Sequence, residues 1–326
     1  MDLGIDLGTT TTVVSDPRRG VVFDGPSTML LQAGARRLRA LAVGAEAAEL
    51  LGRAPARYTA VRPVHDGGIA DLETARAYLR AVLRRAGRRA WTPLRAVVGV
   101  PAGATALEVR ALLEAAEEAG VRPVTALDDT VAGAVGCGLD PLDRRVHMVV
   151  DVGGGTAQAV AFCYGGVLAS RTCALGGEEM TGAVVRFLRE QHQLHVGELE
   201  AERIKVLAAA EDATLVAQGR DGATGRPGLV TVPAAEVAAA LRPVVAEVVR
   251  SLTGCLDELP PQAVADLLGE GVLLIGGSSL VPGLAQELER ALGLPVKPAE
   301  EPLTCVAEGA ARALRDRSLL AAYGRR

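Results

Sequence analysis

Two short stretches of the chain place an aspartate in an apolar run, two residues before a glycine that threonine soon follows. The first is IDLGTTTT (5–12), which contains Asp6, and the second is VDVGGGTA (150–157), which contains Asp151. Glycine lets backbone N–H groups approach an anion closely, and threonine hydroxyls add further donors. A carboxylate beside a phosphate is stabilised when a divalent cation or its waters lie between them. Each stretch alone fits an ordinary glycine turn between strands equally well, but the matching pair favours a polyphosphate held from two sides.

The lysine count narrows the ways in which a phosphate could be bound. Lys205 and Lys297 are the only lysines, and neither follows a glycine. The Walker A motif requires a Gly-Lys pair and protein kinases require their own lysine set, so both classes are excluded. Backbone N–H groups, hydroxyls and a metal ion must therefore meet the phosphate charge.

Two further stretches fit a nucleotide site. VLLIGGSSLVPGL (272–284) runs from an apolar strand through a Gly-Gly turn into a helix, so a nucleoside could pack there on bare backbone. A tight turn between strand and helix explains the same residues. In VVGVPAGATALEVRALLEAAEEAG (97–120) a helix begins near Thr105, which puts Glu108 in its first turn. Glu108 either complements the helix dipole or faces a cleft and orients a water for attack on a terminal phosphate.

Two stretches with charged residues also admit two interpretations each. AERIK (201–205) lies on a predicted helix, where its charges form either a solvated surface or a grip on a ribose and base. The only tryptophan, Trp91, stands among arginines in LRRAGRRAWTPLR (83–95), in a predicted loop. It is either a core residue or a contact with an anionic membrane surface, where its ring would enter the headgroup zone.

The elements that position these residues are strands alternating with helices, a pattern typical of an α/β fold. The order strand, Asp-x-Gly, Gly/Thr, strand occurs twice, which predicts two related halves that face each other across a cleft. GRDGATGRPG (219–228) is predicted to be a surface loop. The main predicted strands are 3–6, 11–15, 20–24, 94–100, 146–152, 157–164, 166–173 and 271–277, and the main predicted helices are 70–87, 106–120, 181–193, 234–259 and 281–293.

Composition excludes several classes of protein. The 326 residues carry a net charge of -4, whereas a nucleic-acid-binding protein usually has a basic domain, so no nucleic-acid partner is expected. The five cysteines are scattered without C-x-x-C spacing, so they form neither a disulfide framework nor a zinc site and indicate a reducing cytoplasm. No secretory signal precedes the first strand, and no uncharged apolar stretch of membrane-spanning length occurs.

In their order along the chain, these motifs resemble the MreB/Mbl group of bacterial actin-like, rod shape-determining proteins. Most of them are shared with the wider superfamily of actin, sugar kinases and DnaK-type chaperones. Two stretches, VRPVHDGGIAD (61–71) and EPLTCVAEGAARAL (301–314), are specific to the MreB group. The resemblance covers essentially the whole chain.

The resemblance implies an actin-like ATPase fold, in which two ribonuclease-H-like domains flank a nucleotide cleft. Domain I would comprise 1–145, with a small subdomain at about 20–63, together with a C-terminal helix at about 306–326. Domain II would comprise 146–305, with a small subdomain at about 181–243.

The resemblance also implies a site for ATP and Mg²⁺. Asp6 and Asp151 would hold Mg²⁺ through water, Glu108 would be the catalytic residue that positions water, and Trp91 would belong to a membrane-insertion loop. The residues expected to bind the nucleotide are Thr9, Thr10, Thr11, Gly154, Gly155, Thr156, Glu202, Arg203, Lys205, Gly276, Gly277, Ser278 and Ser279.

By the same resemblance, we expect slow ATP hydrolysis and polymerisation into homopolymer filaments on the inner face of the cell membrane. The protein would be cytoplasmic and peripheral on that membrane. Such filaments position the cell-wall elongation machinery through membrane proteins and so direct cell shape. The alternatives within the superfamily are a DnaK-type chaperone, which would need a substrate-binding domain beyond residue 326, and a small-molecule kinase.

The chain departs from the family pattern near the expected phosphates. The family usually has Ala-Asn at Thr10-Thr11, a third glycine at Ser278, glutamate at Gln158 and Glu-Glu-Pro at 128–130, where this chain has Asp-Asp-Thr. The family's N-terminal amphipathic or apolar extension is also missing. A paralogue with weakened ATPase activity fits these departures.

Overall fold

Strands and helices alternate along the chain in the computed structural model, which describes residues 1–34, 38–88, 93–210 and 213–325. The strands are β1 (Asp2–Leu7), β2 (Thr11–Asp16), β3 (Gly20–Pro26), β4 (Met29–Gln32), β5 (Ala42–Val43), β6 (Tyr58–Val61), β7 (Val64–His65), β8 (Gly68–Ile69), β9 (Arg95–Val100), β10 (Val124–Asp128), β11 (His147–Val152), β12 (Ala157–Cys163), β13 (Gly166–Cys173), β14 (Leu194–His195), β15 (Thr214–Asp221), β16 (Pro227–Pro233), β17 (Val272–Ile275) and β18 (Val296–Pro298). The helices are α1 (Ala45–Ala48), α2 (Leu72–Arg85), α3 (Ala106–Glu118), α4 (Asp129–Gly136), α5 (Gly177–His192), α6 (Glu198–Leu207), α7 (Ala234–Asp257), α8 (Pro261–Glu270), α9 (Leu284–Leu292), α10 (Cys305–Ala313) and α11 (Arg317–Tyr323), with a 3₁₀ turn at Gly277–Leu280.

Two five-stranded sheets have the same topology. The first has the order β10-β9-β1-β2-β3 and the second the order β13-β12-β11-β17-β18. In each sheet, three consecutive strands pair antiparallel, and two later strands add in parallel on the other side of the first. This is the ribonuclease-H-like arrangement, so the duplication predicted from the stretches at 5–12 and 150–157 is confirmed at the level of the sheets.

The central strands of both sheets are apolar because both of their faces are covered. In β1, Leu3 and Ile5 are fully buried, and in β11 Val149 and Val150 are fully buried. In each of these strands the aspartate stands near the C-terminal end, which is where ligands usually bind to sheets of this kind. The packing of the two strands therefore brings Asp6 and Asp151 to the same region between the sheets.

Smaller sheets are inserted in each half. The three-stranded sheet β5-β4-β6 lies within the first, and β14-β15-β16 lies within the second. Strand β3, which begins at Gly20, belongs to the large first sheet. The limits of the two domains and of their small subdomains stay a prediction. The inserted sheet of the first half starts with β4, at Met29.

Two helices, α4 and α10, pack closely together between the sheets. Their contact depends on glycine: a Cβ atom at Gly309 would lie 2.6 Å from the amide nitrogen of Gly136, and one at Gly136 would lie 2.7 Å from the carbonyl carbon of Cys305. Helix α10 also lies against β1, where a Cβ atom at Gly4 would lie 2.9 Å from the carbonyl carbon of Ala310. The small residues of the EPLTCVAEGAARAL stretch are thus explained by close packing.

The end of the described chain returns to the first sheet. Arg325 exchanges two backbone hydrogen bonds with Ala126 of β10, at 3.0 and 2.8 Å. Within the described ranges, no helix combines the length and apolar character that a membrane crossing requires.

Candidate nucleotide site

A cavity of about 470 Å³ opens between the loops of the two large sheets. This volume is within the range of about 300–1,000 Å³ that is usual for small-molecule sites. Most of the residues predicted from the sequence line it, and they come from both halves of the chain. They are Asp6, Thr9, Thr10, Thr11, Glu108, Asp151, Gly154, Gly155, Thr156, Glu202, Lys205, Gly276, Gly277 and Ser278.

Two predicted residues do not line this cavity. Arg203 is directed elsewhere: it pairs with Glu200 at 2.6 Å and donates to the carbonyl of Val216 at 2.6 Å. Arg203 therefore lies away from this cavity, because successive residues of a helix lie about 100° apart and it does not share the face of Glu202. Ser279 is buried outside the lining, and its Oγ has no hydrogen-bond partner among the described residues. Trp91 lies outside the described residues.

The two stretches that join Asp, Gly and Thr, residues 6–12 and 151–157, are called the Asp-Gly-Thr loops, and they touch each other. A Cβ atom at Gly154 would lie 2.9 Å from Cβ of Thr10 and closer still to its Oγ1 and Cγ2. A Cβ atom at Gly155 would lie 2.8 Å from Oγ1 of Thr9. Glycine is therefore required in the second loop because the threonines of the first loop occupy the space. The two stretches that were predicted to bind phosphate therefore lie side by side, with the threonines of the first against the glycines of the second.

The VRPVHDGGIAD stretch forms a hairpin, β7–β8, at the same end of the cavity. Its turn has φ of +48° at Asp66 and +76° at Gly67, as a type I′ turn requires. The amide of Gly67 donates to Oγ1 of Thr9 at 3.0 Å, and a Cβ atom at Gly67 would lie 3.2 Å from Cγ2 of Thr156. The hairpin thus contacts both loops, a role that the sequence did not reveal.

Arg62, at the entrance to this hairpin, connects the two halves of the chain. It pairs with Glu178 at the start of α5 at 3.2 Å and with Glu198 at the start of α6. Burial raises the pKa of Glu178, and the charge of Arg62 opposes that shift. Since Arg62 belongs to the first half and both glutamates to the second, the ion pairs bridge the cleft.

Three carboxylates lie at the bottom of the cavity. Burial, followed by the charge of Asp151, raises the pKa of Asp6 to about 7. Burial also raises the pKa of Asp151, although the hydrogen bond from Gln158 opposes the shift. Asp129, which the sequence did not single out for this role, has a pKa raised by burial and by the neighbouring carboxylates, and its Oδ1 has no partner among the described residues.

This acidic floor fits a bound divalent cation. Buried carboxylates of like charge are stable together when a cation offsets their charge. Among the described residues, no three acidic, histidine or cysteine side chains are arranged to ligate an ion directly. Carboxylate oxygens suit Mg²⁺, which usually keeps several of its waters and takes only one or two carboxylates.

Glu108 both caps the start of α3 and faces the cavity, as its two interpretations require. Its Oε2 accepts hydrogen bonds from the amide and the hydroxyl of Thr105, each at 2.7 Å, and these bonds lower its pKa. The Thr105 hydroxyl in turn accepts from the amide of Glu108 at 3.3 Å, which completes a capping box. Its other oxygen, Oε1, lies 3.5 Å from the position of a Cβ atom at Gly68 on the cavity wall. Glu108 is thus a helix cap that presents one oxygen to the cavity.

Lys205 is buried on the other side of the cavity. Its Nζ donates to the carbonyl of Gly177 at 2.9 Å and to Oγ1 of Thr181 at 3.1 Å, and it pairs with Glu202 at 2.7 Å. These contacts satisfy the buried charge, so Lys205 ties α6 to the first turns of α5 as well as lining the cavity.

Ser278 stands where the family pattern has glycine. Its Oγ donates to the carbonyl of Gly153 at 2.8 Å, so the hydroxyl ties the Gly-Gly turn to the second Asp-Gly-Thr loop. A Cβ atom at Gly177 would lie 2.6 Å from this oxygen, which explains why α5 begins with glycine.

Apolar side chains form the outer wall of the cavity. Val206, Leu280 and Leu303 line it, and 61%, 55% and 44% of their respective surfaces are exposed. The sequence analysis did not assign them to the site, although each directly follows or lies within one of its motifs. Exposed apolar groups beside a polar floor suit a flat base at one end and phosphates at the other.

Comparisons with known proteins agree with this geometry. The model of the family described as MreB/Mbl protein matches residues 1–322. The cell shape-determining protein MreB of Escherichia coli is 35% identical over 324 residues, which cover 96% of this chain and 93% of that protein. The crystal structure of MreB5 of Spiroplasma citri bound to AMPPNP has a TM-score of 0.88 at 25% identity and covers 96% of this chain and 95% of its own. The MamK double helical filament has a TM-score of 0.71 at 22% identity, covering 97% and 98%.

Proposed function

Because the chain belongs to the MreB/Mbl protein family, we propose that it is an ATP-binding bacterial actin homologue that forms filaments and directs cell shape. The observation that carries this proposal is the pair of touching Asp-Gly-Thr loops above buried carboxylates, since two facing loops of this kind can clamp a polyphosphate without a Walker A lysine. The AMPPNP in the S. citri relative supports the same ligand class.

The cavity orients the proposed nucleotide. The phosphates would lie between Thr9, Thr10 and the 153–156 loop, and the base would lie against Val206, Leu280 and Leu303. The ribose would face Glu202 and Lys205, at the middle of the cavity. Asp6 and Asp151 would hold Mg²⁺ through water, and the ion would offset the phosphate charge.

We propose slow ATP hydrolysis at this site, with Glu108 as the residue that orients the attacking water. Its free oxygen faces the cavity close to Gly68, and its lowered pKa keeps the carboxylate ionised, so it can accept a hydrogen bond from the attacking water and orient it. The capping box holds the carboxylate in place, which is the form of preorganisation that favours a positioned water.

Assembly and location follow from the family. We propose that copies of this chain polymerise with each other, as the MamK neighbour of the same fold does in its double helical filament. We also propose attachment to the inner face of the cell membrane through Trp91, together with membrane proteins of the cell-wall elongation machinery as partners. The chaperone and small-molecule kinase alternatives lack any comparable support, because the family match extends over 1–322.

The decisive experiment is pelleting and light scattering with Mg²⁺ and either ATP, ADP or no nucleotide. We expect polymer above a critical concentration with ATP, on vesicles that contain anionic lipid. A protein that stays monomeric under all conditions, or that phosphorylates a small molecule, would refute the proposal.

A further inference from the structure

Gln158 is a buried polar residue in β12, with only 1% of its surface exposed. Its Nε2 donates to Oδ2 of Asp151 at 3.0 Å, and its Oε1 accepts from the amide of Ala102 at 2.7 Å. The orientation of the amide group is fixed by these partners, because an ionised carboxylate can only accept and a backbone N–H can only donate. Gln158 therefore uses both ends of its side chain in defined hydrogen bonds.

These two hydrogen bonds connect the halves of the molecule. Asp151 is the cross-strand neighbour of Gln158 in the second sheet, whereas Ala102 follows β9 of the first sheet. A second contact lies beside the first: a Cβ atom at Gly103 would lie 2.9 Å from Oγ1 of Thr172, and Thr172 is the other cross-strand neighbour of Gln158. The 101–104 loop is thus seated on strands β12 and β13 by a hydrogen bond and by close packing.

The same loop leads directly to Glu108. The amide of Ala104 donates to the carbonyl of Pro101 at 2.9 Å, which closes a tight turn, and the amide of Thr105 donates to Glu108 at 2.7 Å. The path from Asp151 through Gln158 to the 101–104 loop and Glu108 is therefore a continuous series of short contacts. A displacement of the loop by 1 Å would move the Glu108 carboxylate relative to the floor of the cavity.

Glutamine can donate a hydrogen bond at this position, whereas an ionised glutamate cannot. An ionised glutamate could accept from the amide of Ala102, but it could not donate to Asp151. It would also place a fourth negative charge beside Asp6, Asp129 and Asp151, whose pKa values are already raised. The amide makes both hydrogen bonds without adding charge.

We propose that Gln158 is a positioning residue for ATP hydrolysis, which holds Asp151 and the loop that carries Glu108 in a fixed relation across the cleft. This inference rests on the proposed ATPase function. Gln158 does not line the cavity, so it acts through the two groups that it orients.

The test compares Gln158→Leu, which loses both hydrogen bonds, with Gln158→Glu, which keeps only the bond to Ala102. Gln262→Leu, at an exposed position on α8, is the matched control. Phosphate release at saturating ATP and Mg²⁺ gives kcat, titration with a fluorescent ATP analogue gives affinity, and thermal melting checks folding. We expect kcat to fall by about ten- to a hundredfold in both Gln158→Leu and Gln158→Glu, because neither side chain can donate to Asp151, with affinity in Gln158→Leu changed by less than about threefold.

A second variant acts on the same loop without altering Gln158. Gly103→Ala places a methyl group against Thr172, and we expect it to lower kcat as well. In the double variant with Gln158→Leu the two effects should be less than additive, because both changes unseat one loop. If Gln158 only stabilised the fold, its variants would have a lower melting temperature, but the ratio of kcat to affinity would stay unchanged.

The outcomes separate the two proposals. If the wild-type protein hydrolyses ATP and Gln158→Leu hydrolyses it at the same rate, or if only affinity changes, the inference about Gln158 is wrong and the proposed function stands. If the wild-type protein binds ATP but hydrolyses none, the slow-ATPase proposal fails and the inference about Gln158 fails with it. If it binds no ATP at all, nucleotide binding fails too.

Discussion

The contact between Thr10 and Gly154 gives a sharp prediction for nucleotide affinity. In Gly154→Ala, the new methyl group would lie 2.9 Å from Cβ of Thr10, whereas two carbon atoms pack at about 3.5–4.0 Å. One loop must therefore move away from the other by roughly 1 Å. Because the proposed phosphates lie between these loops, backbone N–H groups of the second loop would then be too far away to donate to them.

The expected loss can be estimated from hydrogen bonding. A hydrogen bond to a charged group contributes about 1.5–3 kcal/mol, so the loss of one such bond lowers ATP affinity by about ten- to a hundredfold. The assay is titration of the protein with a fluorescent ATP analogue in the presence of Mg²⁺, with thermal melting as a check on folding. Gly269→Ala is the matched control, because a Cβ atom there meets nothing within 4 Å among the described residues outside its own stretch of helix.

A second substitution tests the cause. Thr10→Gly removes the Cβ, hydroxyl and methyl that the new side chain meets, so the Thr10→Gly/Gly154→Ala double variant should regain most of the lost affinity. If Gly154→Ala binds the analogue as tightly as the wild type does, the loops do not clamp phosphate. If the double variant is no better than Gly154→Ala, the contact with Thr10 is not the reason for the loss.

Three further predictions follow from the same cleft. Glu108→Ala should retain ATP binding, lower phosphate release at least tenfold, and destabilise the fold by about 1 kcal/mol through loss of the capping box. Glu108→Gln can keep a capping box, so it should show the kinetic loss alone. Unchanged phosphate release in both variants would remove Glu108 from the mechanism. Arg62→Ala should speed release of a fluorescent nucleotide about two- to fivefold, since a partly exposed ion pair contributes roughly 0.5–1 kcal/mol. Arg189→Ala, which removes an ion pair within α5, is the control. If Arg62→Ala releases the nucleotide at the wild-type rate, the pairs with Glu178 and Glu198 do not hold the cleft closed. Trp91→Ala should reduce co-sedimentation with vesicles of anionic lipid, measured against neutral vesicles, and equal co-sedimentation would rule out this residue as an anchor.

The strands that carry the site were predictable because they are apolar on both faces and end in Asp-x-Gly. Shorter edge strands were not, since β10 (Val124–Asp128) and β18 (Val296–Pro298) offer too few residues for a periodic pattern. The prediction of a surface loop at 219–228 was also too long: β15 and β16 extend into it and leave only a turn at 222–226. Its polar sequence resembles a loop because both strands lie at the surface.

The beginning of α5 illustrates a different limit. The periodic pattern predicted a helix from residue 181, but the helix begins at Gly177. Glycine normally indicates a loop, and here it is required by a contact with Ser278, which is about a hundred residues away in the chain. Contacts of this kind cannot be read from local sequence, and they also account for the hairpin at Asp66 and Gly67 that the sequence motif did not place in the site.

Three of the positions at which the chain departs from its family converge on one loop. Thr10 packs on Gly154, Ser278 donates to the carbonyl of Gly153, and Gln158 donates to Asp151. Each departure adds a side-chain contact to the second Asp-Gly-Thr loop. Residues that share a neighbour generally have coupled effects, so the effects of reverting these residues one at a time should not add up to the effect of reverting all three together. The departures are therefore better explained as a mutually adjusted set that holds this loop than as independent losses of catalytic residues.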